Sequence, residues 1–125
     1  MRVFVYGSLR RGEENVGLVA DLPTTPARVR GWLWRLPEGW PVLVLDPDGL
    51  LIAGELLDGV DQARLAELDD LEGLDRGLYR RETAIVEVGG RYVAAACYTL
   101  SEVEVALRGS SPLPLTDWTR RHLEP

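Results

Sequence analysis

Short apolar runs separated by glycine, proline and acidic turns dominate the chain, and this pattern predicts strands more often than helices. Arg2 to Tyr6 is β-branched and aromatic and stops at Gly7, as a buried first strand would. Gly7 to Glu14 reads as a polar, glycine-bounded loop, after which Asn15 caps a short helix to about Leu22 that Pro23 and Pro26 end. Val29 to Leu36 alternates loosely and stops at Pro37. Val42 to Leu45 and Leu50 to Leu57 flank Asp46-Pro47-Asp48-Gly49, which reads as a hairpin turn, proline presetting φ and glycine accepting a positive one.

Asp61 to about Glu72 holds helix formers between an acidic start and Gly73. Thr83 to Val88 and Arg91 to Leu100 are strands joined in a tight hairpin at Gly89-Gly90. Beyond Pro112 and Pro114, Thr116 caps a short helix over Asp117 to His122. Many closely spaced strands with one strong helix predict an α+β domain spanning residues 1–125, its mostly antiparallel sheet curled into a small barrel with flanking helices. A doubly wound parallel sheet fits poorly, because hairpins dominate everywhere except the first strand-loop-helix.

Composition narrows the function. The chain has 125 residues, 46% hydrophobic and 27% charged, close to the averages of globular domains. Its formal charge of −6 leaves no basic stripe for a nucleic acid backbone. No apolar run approaches the ~18 residues of a membrane span, and no signal-peptide core precedes Gly7, so a cytoplasmic location is expected. One cysteine (Cys97) and one histidine (His122) cannot build an intrachain disulfide or a His/Cys metal cage. Neither cofactor nor metal is expected, and the partner is a small molecule bound by a monomer or homodimer.

Gly7-Ser8-Leu9-Arg10-Arg11-Gly12 has the glycine spacing of a phosphate-binding loop, but Glu13-Glu14 stand where that motif needs lysine and a hydroxyl. What survives is a backbone turn at a strand end, where free N–H groups can face an anion, or a turn that merely redirects the chain. In the helix, Leu65, Leu68 and Leu71 define an apolar stripe at about 100° per residue; Glu67 and Asp69 fall roughly 100° from its centre and Asp70 roughly 160°, whereas Glu72 falls about 40° away. Glu72 therefore points inward, in the last turn, where the helix dipole disfavours a negative charge. Such a carboxyl has a raised pKa suited to proton transfer, unless the helix end frays and lets it reach solvent, Arg76 or Arg80. Tyr6, Tyr79 and Tyr98 sit where a phenol either aims its hydroxyl into a cavity or packs as core. Cys97, inside an alanine run, reads as a small buried hydrophobe. Ser8 lacks the nucleophile-elbow glycine pattern, and the one histidine lies in the tail, which argues against a serine hydrolase.

Val3-Phe4-Val5-Tyr6-Gly7-Ser8-Leu9-Arg10-Arg11-Gly12 followed by Asn15, Ala53-Gly54-Glu55-Leu56, Leu68-Asp69-Asp70-Leu71-Glu72-Gly73 with Leu78-Tyr79-Arg80-Arg81, and Cys97-Tyr98 together resemble the gamma-glutamylcyclotransferase-like family. The motifs are nearest to those of the gamma-glutamylamine cyclotransferases, with Leu71 replacing their usual phenylalanine. The resemblance implies that the Tyr6-Gly7-Ser8-Leu9 backbone holds the glutamyl end of a substrate, that Tyr79 and Tyr98 complete the pocket, and that Glu72 is the catalytic acid/base. The implied reaction turns a gamma-glutamyl amine or related amide into 5-oxoproline and a free amine. A non-catalytic module that kept the pocket, and an enzyme that releases an amino-acyl protecting group from a biosynthetic intermediate, remain as alternatives.

Overall fold

The computed structural model describes residues 1–123, with side chains through Arg121. Seven strands form one sheet: β1 (Val3–Val5), β2 (Thr24–Arg35), β3 (Pro41–Leu45), β4 (Leu50–Leu57), β5 (Arg80–Val88), β6 (Arg91–Thr99) and β7 (Ser111–Pro112). The ring β1–β4–β2–β3–β6 closes because β6 pairs back onto β1. Most pairings are antiparallel, as the hairpin-rich sequence predicts, but β6 runs parallel to both β1 and β3. The fold is thus a mixed sheet closed into a small barrel, accompanied by α1 (Gln62–Leu71) and α2 (Glu102–Leu107).

β1 is buried on both faces, which explains its unbroken apolar run. Phe4 and Tyr6 join the barrel core with Val29, Leu33, Ile52 and Val86, whereas Val3 and Val5 pack outward against Leu65 and Leu68 of α1. β2 alternates buried and exposed positions strictly from Ala27 to Leu33 and is longer than its apolar pattern suggests. Pro26, read as a helix breaker, lies inside β2. Ala53 donates away from β2 to the Thr116 carbonyl at 2.7 Å, so Arg28↔Ala53 and Pro26↔Glu55 are non-hydrogen-bonded pairs, and the missing proline N–H interrupts no ladder bond.

The Asp46–Gly49 segment departs from the hairpin reading. It is a tight turn, with Gly49 N–H donating to Asp46 O at 2.9 Å, but β3 and β4 do not pair with each other. They flank opposite edges of β2, and the turn carries the chain across β2 at Gly31. A Cβ on Gly49 would lie 2.6 Å from the Gly31 carbonyl oxygen, and one on Gly31 would lie 2.4 Å from the Val44 carbonyl oxygen. Glycine serves close backbone approach here rather than positive φ. Gly49→Ala is expected to cost about 2 kcal/mol or more, since the clash is with backbone that cannot yield; a urea melt indistinguishable from wild type would refute the crossing.

α1 follows its signals: the Asp61 carboxylate accepts from Arg64 N–H at 2.8 Å, and left-handed Gly73 ends the helix after Glu72. The predicted helix after Asn15 contracts to a 3-10 turn, Val16–Leu18, and the Asn15 side chain does not cap it. Gly17 weakens that turn, and the Asn15 amide donates instead to Ser8 Oγ at 3.0 Å. α2 has no counterpart in the apolar pattern, because Val105 is its one buried residue. Its capping box is nonetheless present: Ser101 accepts from Glu104 N–H, and Glu104 accepts from Ser101 N–H. The predicted tail helix is a 3-10 segment, Trp118–Leu123; the His122 side chain lies outside the described residues.

Candidate active site

The end of β1, the loop after it, the last turn of α1 and the β2–β3 connection enclose a cavity of about 390 Å³. All of the expected site residues line it: Tyr6, Gly7, Ser8, Leu9, Glu72, Tyr79 and Tyr98. Phe4, Val5, Leu9 and Tyr98 are buried and form its floor, whereas Glu14, Trp40, Leu71 and Leu78 are exposed and ring its mouth.

Glu72 is the C-cap of α1, its N–H donating to Leu68 O at 2.9 Å. Leu65 and Leu68 are buried as the helical stripe predicts, but Leu71 turns out to the cavity mouth. Among the described residues the Glu72 carboxylate has no hydrogen bond or ion pair. The fraying alternative finds no partner for it: Arg76 lies beside Asp75 at 4.0 Å and Arg80 donates to Glu104 at 3.0 Å. Burial without compensation destabilises the charged form and raises the Glu72 carboxyl from its usual 4.5 to about 7.

The loop presents its backbone to the same cavity. Among the described residues, the N–H groups of Gly7, Ser8 and Leu9 donate to no protein acceptor, while Arg10, Glu13 and Asn15 N–H groups are all used within the loop. These three residues line the cavity, and their unused N–H groups are available to an anionic or carbonyl oxygen bound there. The loop is held from outside: Glu55 on β4 accepts from Arg11 N–H at 2.9 Å, and Arg10 pairs with Asp117 at 2.6 Å. Glu13 pairs with Arg121, whose guanidinium lies 4.7 Å from the Trp118 ring centroid. The Gly-Glu strand motif thereby acquires a physical meaning. A Cβ on Gly54 would sit 2.3 Å from the Phe4 ring and 2.4 Å from Val5 O, so glycine lets β4 close on β1 while Glu55 ties the loop down.

The three tyrosine hydroxyls are committed to the protein. Tyr6 donates to the Tyr98 carbonyl at 2.6 Å and accepts from Leu43 N–H at 3.1 Å, bridging β6 and β3 just beyond the end of β1. Tyr79 donates to the Pro41 carbonyl at 2.5 Å. Tyr98 donates to Asp69 at 2.7 Å, and Asp69 is also paired with Arg81. Burial is the main cause that pushes all three phenols above their ordinary value of 10.0, so they stay protonated donors. Their rings form walls, and their hydroxyls fasten the walls together. The Cys97 thiol, fully buried, is likewise pushed up and lies within the core.

The sequence pattern missed four contributors. Glu55 and Asp69 sit inside the quoted motifs, but no local rule assigns them a partner far along the chain. Trp40 and Asp117 gave no signal at all. Disrupting the clamp from the tail is testable: Asp117→Ala is expected to raise KM several-fold more than it lowers kcat, because it loosens the loop and leaves Glu72 in place. Steady-state kinetics with unchanged KM would refute a positioning role for Asp117.

Residues 3–120 match the family described as gamma-glutamyl cyclotransferase, AIG2-like, and the chain belongs to that family. It is 35% identical over 99 residues to the gamma-L-glutamyl-butirosin B gamma-glutamyl cyclotransferase of Niallia circulans. That match covers 73% of this chain and 62% of the relative, so the chain spans less than two thirds of the longer protein. An AIG2-like protein of Mus musculus has the same fold at TM-score 0.67 and 26% identity, covering 79% of this chain and 76% of the other. YkqA of Bacillus subtilis superposes at TM-score 0.73 and 25% identity over 98% of this chain and 40% of its own.

Proposed function

We propose that the protein is a gamma-glutamyl cyclotransferase that converts a gamma-glutamyl amine or related amide into 5-oxoproline and a free amine, with Glu72 as general acid/base. The observation that carries this reading is an unpaired, half-buried carboxyl near neutrality lining the same cavity as three residues with unused backbone donors. Family membership and the cyclotransferase relative support the same chemistry.

The chemistry follows from the substrate. Its α-amine attacks the γ-carbonyl carbon, a C–N bond closes a five-membered ring, and the carbonyl becomes a tetrahedral oxyanion. Collapse then breaks the bond to the departing amine. One proton must leave the attacking nitrogen and one must reach the leaving nitrogen, so Glu72 accepts the first and returns it, with no net consumption of water or cofactor. Such help contributes about 10²–10⁴-fold. Holding the substrate folded adds an entropic share, and the Gly7–Leu9 N–H groups bind the glutamyl α-carboxylate or the developing oxyanion. Ser8 Oγ, held by Asn15, adds a hydroxyl to that wall.

Because the base must be ionised to start the reaction, kcat/KM is expected to rise from acid to neutral pH with an inflection near 7, the carboxyl value given above, rather than near 4.5. The experiment is mass-spectrometric detection of 5-oxoproline from a panel of gamma-glutamyl amines and dipeptides across that pH range. Binding of panel members without product would favour the non-catalytic module instead.

A further inference from the structure

Glu72 owes its raised carboxyl to burial alone, so its chemistry depends on what keeps the last turn of α1 against the barrel. Of the apolar side chains in that turn, Leu68 is fully buried, whereas Leu71 is exposed at the cavity mouth. A turn anchored at one side chain can still roll about that anchor. A tether on Asp69, about 100° further round the helix, would stop the roll, and Asp69 carries one. Tyr98 on β6 donates to its Oδ1 at 2.7 Å, and Arg81 on β5 pairs with its Oδ2. Tyr98 and Arg81 face each other across the β5–β6 pairing, so both donors come from one point of the sheet. Asp69 is half-buried there, whereas its acidic neighbours Glu67 and Asp70 are exposed. Tyr98 also lines the cavity, so the tether and the site share a wall.

We infer that Asp69 is a positioning residue: by joining the last turn of α1 to Tyr98 and Arg81, it fixes the rotation of that turn and holds Glu72 in the cavity wall. Asp69 lies about one turn before Glu72, so a movement of one carries the other with it. On the far side, left-handed Gly73 turns the chain away, and Leu78 N–H donates to the Gly73 carbonyl at 3.0 Å. Glu72 is thus held through the backbone on both sides, and its carboxyl stays free to take and return a proton. Arg81 balances the charge of Asp69, so the tether brings no bare second carboxylate to the helix end. Displacing a reacting group by about 1 Å can cost roughly 10²-fold in rate. A roll that admitted water would also return the Glu72 carboxyl toward its ordinary 4.5.

The kinetic side of this inference rests on the cyclotransferase reading, and a readout that needs no turnover separates the two. The Glu72 carboxyl carbon, assigned by its loss in Glu72→Gln, is titrated by ¹³C NMR in wild type, Asp69→Ala and Asp69→Asn, and kcat and KM are measured on gamma-glutamyl amides. Asp69→Ala is expected to move the Glu72 inflection from about 7 toward 4.5. It is also expected to lower kcat about ten-fold or more, with KM changed less than about three-fold. Asp69→Asn keeps an acceptor for Tyr98 and should fall between the two. Asp117→Ala, which loosens the loop instead, should leave the inflection where it is. If Asp69→Ala does not fold, Arg81→Met takes its place: it removes the half-exposed arm alone, and a smaller shift in the same direction is expected. A folded variant with the wild-type inflection overturns the inference, whatever its kcat, and turnover by wild type then spares the cyclotransferase. An inflection that moves as expected, in a protein that turns over no amide, supports the positioning role and sinks the cyclotransferase.

Discussion

Glu72→Gln is expected to lower turnover of gamma-glutamyl amides by about 10²–10⁴-fold and, at the same time, to make the protein more stable at alkaline pH. Both effects come from one property, a carboxyl buried without a partner and raised from 4.5 to about 7. A raised carboxyl binds its proton more tightly in the folded than in the unfolded chain. Wild-type stability therefore falls as pH rises from about 4.5 through 7, by up to about 3 kcal/mol, and stays reduced above that. Glutamine has nothing to ionise and escapes the penalty. Thermal melts at pH 8 should place the variant above wild type, with the gap closing below pH 5. A gap that does not change with pH would mean that Glu72 is solvated, and the acid/base assignment would lose its physical basis.

Tyr6→Phe has the next largest expected effect, and it falls on stability rather than chemistry. The hydroxyl satisfies the Tyr98 carbonyl and the Leu43 N–H at the seam where β6 passes from β1 to β3. Removing it leaves two buried backbone groups unpaired, at about 1–3 kcal/mol each, so a total loss of roughly 2–6 kcal/mol is expected in urea unfolding. Because the hydroxyl is committed to the barrel, kcat should change less than about ten-fold once the variant is folded. A collapse of kcat with stability unchanged would instead put the phenol in the reaction.

How far the chain could be read without coordinates depended on the distance over which each feature is encoded. The Gly89-Gly90 hairpin, the Asp61-to-Gly73 helix and the inward tilt of Glu72 rest on neighbours within a few residues, and each has its counterpart in the fold. The parallel pairing of β1 with β6 joins Phe4 to Cys97 and leaves no local trace. The Asp46–Gly49 turn looked like a hairpin because turn chemistry says nothing about which edge of β2 the next strand will join. The Ser101-to-Glu104 capping box was legible as a pattern, but a six-residue helix burying Val105 alone has no apolar period to announce it. At the site, the loop and Glu72 stood out because they break local rules. Asp69, Glu55 and Asp117 obey ordinary surface rules, and their roles appear only when Tyr98, Arg11 and Arg10 are brought to them. Leu71, placed in the stripe by periodicity, faces the cavity mouth because the helix ends one residue later.

Cyclisation by the substrate's own amine can be told apart from hydrolysis by running the reaction in ¹⁸O-labelled water with a gamma-glutamyl amide that the protein turns over. The expected result is 5-oxoproline in equal amount to released amine, with no label in either product. Glutamate carrying one ¹⁸O would mean that water, not the α-amine, attacks the γ-carbonyl, and would contradict it.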